Sequence, residues 1–353
     1  MRAYTIGTAP ARRQGAAVLG MADAALQSSP GAAVGGRMRF VARATQTVWP
    51  VLVVVAVIVA LWYAACIPMN AKDALTQAER GGAAIQPEGA GARRDLSPWP
   101  LVVRNPGHLG GVWSQDRPRL PAPHQVASEL WATTGAMALE GRIWSNRSLF
   151  THAWVTLSAT LLGFGIGTGL GILLAVGIVH NRAMDMSVMP WAIASQTIPI
   201  LALAPMIIVV LNSIGVQGLL PKAMISAYLS FFPVVVGMVK GLRSPDAMQL
   251  DLLRTYNASR AETFWKLRLP ASMPYLFASL KVGVAASLVG AIVGELPTGA
   301  VAGLGARLLA GSYYGQTIQI WSALFAAAIL AALLVGLIGL IQRGVLARMG
   351  MAR

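Results

Sequence analysis

The 353-residue chain is 56% hydrophobic and only 12% charged, with a mean hydropathy of +0.61. A soluble domain carries roughly 25% charged residues to keep its surface solvated, so the composition excludes an ordinary soluble protein and points to several membrane crossings. The net charge of +15 does not indicate nucleic-acid binding: no recognition helix or interleaved basic-aromatic surface is visible, and stretches such as 49–68 and 154–179 hold no charge at all.

Residues 1–48 carry Arg2, Arg12, Arg13, Arg37, Arg39 and Arg43 against Asp23 alone. They are expected to form a loosely ordered cytoplasmic tail whose arginines hold the N-terminus inside. Six apolar segments follow at about 49–68, 154–179, 188–211, 219–241, 276–297 and 318–341, each near the roughly 20 residues a helix needs to cross hydrocarbon. The expected fold class is an all-α membrane protein with about six transmembrane helices. Cys66, the only cysteine, closes the first segment. It excludes an intrachain disulfide and any cysteine-based metal site. Tyr63 and the long preceding polar stretch do not suit a lipoprotein signal, so Cys66 reads as a membrane-buried thiol.

The stretch 69–153 is expected to be a long outside loop. Its first half is rich in glycine and proline and reads as irregular, whereas Val126, Leu130 and Trp131 recur at near-helical spacing and predict a short amphipathic helix over 124–142. The short loops set the orientation. The 240–281 loop, placed inside, carries Lys240, Arg243, Arg254, Arg260, Lys266, Arg268 and Lys281, and the inside tail 342–353 carries Arg343, Arg348 and Arg353. On the other side, 212–218 carries no charge and 298–317 only Arg307.

Inside the second segment Gly163, Gly167 and Gly171 recur every four residues on one face, with Gly165 and Gly169 as a second row. The fifth segment repeats the pattern with Gly283, Ser287, Gly290 and Gly294. Small residues let helix backbones approach closely in lipid, so these positions predict a tight bundle. In the third segment Gln196-Thr197-Ile198-Pro199 and Pro205 interrupt the helix. That kink borders a solute path or serves packing alone. Glu295, near the end of the fifth segment, either lines the pathway or is a satisfied structural group paired with Arg307. Gln316, Gln319, Tyr313 and Tyr314 fall at the outer mouth.

The 243–275 loop carries the most local information. Ser244 as N-cap and Pro245 at the first turn predict a helix start, with Leu250, Leu252 and Leu253 on its apolar side and a stop at Tyr256-Asn257. Ser259 and Glu262 then form a capping box for a second helix through Phe264, Trp265 and Leu267, which Leu269-Pro270 is expected to end. A short, stiff helix at about 258–268 suits either a connector or a docking element.

Asn257-Ala258-Ser259-Arg260, Phe264, Leu269-Pro270-Ala271 and Pro274-Tyr275 resemble the "EAA" loop of binding-protein-dependent ABC importer permeases. The resemblance extends over about 120–341, with Leu120-Pro121-Ala122-Pro123, Ile198-Pro199, Ala204-Pro205 and Phe232-Pro233, and is similar to the branch that takes up nitrate, sulfonates and taurine. Asn257 stands where the family has glycine, and Arg254-Thr255-Tyr256 replaces Glu-Ala-Ala. Asparagine tolerates the positive φ that such a turn requires.

The resemblance implies a type I ABC importer permease fold in the cell inner membrane, with 154–341 as the permease core. It implies a second permease copy, a homodimer, with a cytoplasmic ABC ATPase dimer and an extracytoplasmic substrate-binding protein. ATPase coupling would fall to Asn257, Ala258, Ser259, Arg260, Glu262, Phe264, Leu269 and Pro270, and the pathway to Gln196, Pro199, Glu295 and Gln316. No lysine follows a glycine, so no phosphate-cradling loop is present and the chain is not expected to be an enzyme. It needs no cofactor of its own, with ATP bound by the partner subunit, and no metal. Gly294-Glu295-Leu296-Pro297-Thr298-Gly299 with Tyr313-Tyr314-Gly315-Gln316 is similar to permeases linked to pyrimidine-type thiamine precursors. A proton-coupled secondary transporter with Glu295 as the titrating group is the alternative reading, and it lacks the inverted-repeat pattern. An intramembrane enzyme is disfavoured because no pair of ionisable residues converges within the segments.

Overall fold

The computed structural model describes residues 31–297 and 299–351, with side chains from Val48 onward. Residues 1–30 of the expected tail lie outside the described residues. Every regular element among the described residues is helical. Two compact units are present, Met1–Ala64 and Ala65–Arg353, and their border falls inside the first helix, α1 (Gly31–Arg80). This helix starts within the stretch read as a loose tail, and it runs 12 residues past the expected end at 68.

In the second unit, the end of α1 carries an ordered cap where an irregular loop was expected. Two short helices, α2 (Ala90–Arg94) and α3 (Pro98–Arg104), and a tight 3₁₀ stretch (Pro106–Trp113) return over it. Leu75, Ile85 and Leu101 form a small apolar core. Asn70 is fully buried and holds the irregular chain together. Its Nδ2 donates to the carbonyls of Val112 (3.1 Å) and Leu120 (2.7 Å), and its Oδ1 accepts from Leu120 N (3.0 Å). Arg93, also buried, pairs with Glu79 and donates to Pro87 O at 2.9 Å. Buried backbone groups need partners, and here side chains supply them in place of a helix ladder. The amphipathic helix is present as α4 (Pro123–Trp131), which continues through a wide π turn to Leu139, with Val126 buried and Trp131 exposed.

Among the described residues five helices are long and apolar enough to cross a membrane: Val48–Arg80, Leu149–His180, Leu219–Leu242, Arg260–Glu295 and Thr317–Arg348. The third expected segment is a broken pair, α6 (Arg182–Ser195) and α7 (Ile200–Ser213), bent by 103°. The prolines predicted a kink, but the chain turns through a corner. Pro199 caps the second arm without an N–H to offer, and the Tyr228 hydroxyl donates to Ser195 O at the end of the first.

The helix α8 (Leu219–Leu242) is the hub, with 50% of its apolar window buried against 11% for the last helix. It packs against both α5 (Leu149–His180) and the Arg260–Glu295 span, with a core around Ala175, Ile178, Val235, Met238 and Leu242. Small residues permit the approach. A Cβ on Gly163 would meet Ser226 Oγ at 2.6 Å, one on Gly167 would meet Ala227 O at 2.7 Å, and one on Gly171 would meet Phe231 O at 3.0 Å. Across the other interface, a Cβ on Gly290 would meet Ser226 Cα at 2.8 Å, whereas Gly283 has more room, 3.4 Å from Ser230 O. The second row, Gly165 and Gly169, faces open space among the described residues. Hydroxyls join the three helices. Ser226 Oγ donates to Ser287 O (2.8 Å), and Ser287 Oγ donates to Thr160 O (3.0 Å). Such bonds hold helices together where no hydrophobic force exists between them.

Candidate functional site

The 243–275 loop begins two residues later than its sequence suggests. Helix α9 (Ala247–Thr255) is capped by Asp246, whose N–H donates to Gln249 Oε1 at 3.2 Å, and not by Ser244. Ser244 instead turns its Oγ back to Gly241 O at 2.7 Å, ending α8. An aspartate followed three residues later by glutamine is a helix-start pattern like serine and glutamate, here with Gln249 reaching back to the N-cap N–H.

Asn257 takes φ +54°, the one positive value on a non-glycine residue among the described residues. It is the hinge the sequence predicted. The Ser259–Glu262 box closes as expected: Glu262 N donates to Ser259 Oγ (3.2 Å), and Ser259 N donates to Glu262 Oε2 (3.0 Å). Lys266 Nζ donates to Glu262 Oε1 at 2.9 Å and stiffens the same turn.

Pro270 does not end this helix. The short α10 (Arg260–Thr263) passes through a π turn at Phe264–Arg268 into α11 (Leu269–Glu295), giving one span of 36 residues. A proline ring collides with the carbonyl four residues back and removes one bond. The widened turn, in which Leu269 N reaches Phe264 O, absorbs both effects. Leu269 and Pro270 are thus part of the shaft, and no separate short helix exists at 258–268.

No residue of α9, α10 or the π turn is buried. Met248 (83% exposed), Tyr256 (77%) and Trp265 (65%) present large apolar groups outward. Arg260 and Phe264 line a shallow cavity of about 250 Å³ with Val176 and His180, and the rings of Phe264 and His180 meet edge to face at 5.3 Å. Ala258 is half-buried beneath the hinge. The loop is thus braced against the end of α5 while its outer face stays open. Arg268 Nη1 donates to Leu242 O (3.3 Å), and Arg243 pairs with Asp185 (2.8 Å), fixing the helix ends around it.

The four residues expected along a pathway do not form one cluster. Gln196 and Pro199 are exposed at the corner between α6 and α7, and Gln316 is half-buried between α12 (Leu304–Tyr313) and the last span, α13 (Thr317–Arg348). Glu295 is fully buried. Its Oε1 accepts from Thr156 Oγ1 (2.8 Å) and its Oε2 from Gly305 N (2.7 Å). His152 Nδ1 accepts from Gly303 N (3.0 Å) beside it. The partner expected for Glu295, Arg307, is replaced by these groups. Gly303, at φ +134°, and Gly305 wrap the carboxylate so closely that a Cβ on Gly305 would lie 2.9 Å from Oε2.

Lys222 carries a signal that the sequence expectations passed over, an ionisable residue inside an apolar segment. It is only 8% exposed and lines a cleft of about 280 Å³ with Asn212, Gln217, Gly218, Pro221 and Ala300.

Residues 167–350, including the whole loop, match the family described as the binding-protein-dependent transport system inner membrane component. The riboflavin transport system permease protein of Chloroflexus aurantiacus is 30% identical over 224 residues, covering 64% of this chain and 78% of that relative. The formylaminopyrimidine transport permease protein of Halalkalibacterium halodurans is 33% identical over 161 residues, 46% of this chain and 62% of the relative, so the match spans about three fifths of its length. A putative aliphatic sulfonates transport permease protein of Bacillus subtilis is 24% identical over 238 residues, 67% of this chain and 81% of the relative. With a family match across more than half its length, on helices that bear out the expected membrane architecture, the chain belongs to the inner-membrane components of binding-protein-dependent transport systems and has the type I importer permease fold.

Proposed function

We propose that this chain is the translocating subunit of an ATP-driven importer and that its 243–275 loop docks onto a cytoplasmic ABC ATPase dimer. The observation that carries the reading is the loop itself: a hinge at Asn257, a capped turn at Ser259–Glu262, and exposed Met248, Tyr256 and Trp265 on a braced support. Exposed aromatic and apolar groups on a rigid mount are what a protein interface needs at its centre. Ala258, Arg260, Phe264, Leu269 and Pro270 set the mount's angle. Two copies of the chain, as a homodimer, enclose the path in this reading, and a substrate-binding protein delivers solute from the extracytoplasmic side. Both termini lie in the cytoplasm, in line with the arginines near them.

Gln196, Pro199 and Gln316 border the path at the corner and the outer mouth. Glu295 fixes the first turn of the Leu304–Tyr313 helix beside it. The solute is a small polar molecule. The relatives are named for riboflavin, formylaminopyrimidine, aliphatic sulfonates and nitrate, and a formylaminopyrimidine-type precursor or a sulfonate-like anion fits that range.

The test is co-purification of the chain with its ATPase from the native membrane. Asn257→Pro and Glu262→Lys should both insert normally and lose most of the bound ATPase, since each breaks the turn that orients the docking face. Normal ATPase recovery with both variants would refute the docking role.

A further inference from the structure

A lysine side chain largely withdrawn from water is costly unless its charge finds a partner, because removing an ion from water costs several kcal/mol that only pairing or strong hydrogen bonds offset. Lys222, the fourth residue of α8, has no ion pair among the described residues. Glu295 is near enough for its charge to be felt, but no ion pair joins the two, and its oxygens accept from Thr156 Oγ1 and Gly305 N instead. Lys222 instead lines the cleft of about 280 Å³ described above, which has the side-chain amides of Asn212 and Gln217 on its wall.

A second, independent feature converges on the same space. The cleft lies at the N-terminus of the 24-residue α8, where Gly218 at φ +77° precedes the first turn and no side chain caps the backbone donors of Leu219 and Leu220, Pro221 having none. Unsatisfied N–H groups and the positive end of the helix dipole favour an anion there. The contrast within the molecule is sharp. A larger cavity of about 640 Å³ between α5, α7 and α8 is walled by residues such as Leu170, Met206 and Phe231 and offers no charge.

We propose that the Lys222 cleft binds the anionic group, a carboxylate, sulfonate or similar oxyanion, of the solute that the permease carries. The inference rests on the permease reading for the source of the ligand. Its test is binding to the chain alone, so either idea can fail without the other.

The full chain in phosphatidylcholine nanodiscs should bind radiolabelled methanesulfonate saturably. Unlabelled methanesulfonate should displace it, and the neutral isostere dimethyl sulfone should not. Lys222→Met should weaken binding at least about tenfold, the worth of one charge-assisted hydrogen bond, and Lys222→Arg should restore most of it. Gln217→Leu, on the exposed rim, should weaken binding without affecting folding and keeps the test decisive if Lys222→Met folds poorly. Absence of saturable binding, displacement by dimethyl sulfone, or unchanged binding in the Met and Leu variants would overturn the site. Protection of the cleft by phosphatidylglycerol in place of methanesulfonate would assign it to a lipid headgroup and overturn the solute assignment.

Discussion

Replacing Gly167 with alanine adds one methyl group at the tightest point of the α5–α8 interface. The new Cβ would sit 2.7 Å from Ala227 O and 3.2 Å from Phe231 N, with Ser230 Oγ closer still. Real Cβ contacts are essentially never under 3.0 Å and are ordinarily 3.4 Å or more, so α5 must retreat by several tenths of an ångström. Overpacking of this sort costs about 1–3 kcal/mol. Alanine also gains up to about 1 kcal/mol over glycine in helix propensity, which would blur the result on its own. Gly169→Ala supplies the control, because it makes the same propensity gain where nothing lies within 4 Å. The difference between the two variants isolates the contact and should be about 1–3 kcal/mol, read as the shift in unfolding midpoint by tryptophan fluorescence of the solubilised chain. Equal midpoints for Gly167→Ala and Gly169→Ala would show that the glycine row does not govern the interface.

Asn70→Leu removes three hydrogen bonds between α1 and the chain at 112–120 and should make 81–120 sensitive to protease while the remaining spans stay protected. Undiminished resistance of that region would show that the apolar core around Leu75 suffices. Gly303→Ala forces a Cβ into the Glu295 carboxylate and should lower the unfolding midpoint more than Gly299→Ala, which meets nothing within 4 Å although its φ is also positive. Similar losses for the two would assign the effect to backbone strain and not to packing on Glu295.

What could be read from the sequence was local. Ser259 and Glu262 are three residues apart, and their reciprocal bonds depend on little else. Asn257 announces a left-handed turn through its own side-chain chemistry, and Gly163, Gly167 and Gly171 share a face by helical geometry alone. The features that escaped depend on distant partners. Asn70 meets Val112 and Leu120, 42 and 50 residues away, so proline and glycine content gave 69–119 the look of a loop. Pro270 has the ordinary signature of a helix stop, overridden by a widened turn in which Leu269 N reaches Phe264 O. For Glu295 the sequence leaves a structural and a pathway role open, because its partners come from α5 and from the first turn of the Leu304–Tyr313 helix, which folds back on it. Lys222 was visible as a charge in an apolar segment, but the cleft it lines takes shape only when Asn212 and Ala300 come together.

The unbroken helix from Arg260 to Glu295 has a mechanical consequence. Thirty-six residues at 1.5 Å each make a rod of about 54 Å. A jointed pair of helices would dissipate a push at the joint. A single rod converts a small tilt at Arg260 into a proportionate sweep at Glu295, where the carboxylate holds the first turn of the Leu304–Tyr313 helix, just after Ala300 of the Lys222 cleft. The π turn at Phe264–Arg268 is the one place along its first third where the backbone ladder changes register, and so the place where such a lever would yield first.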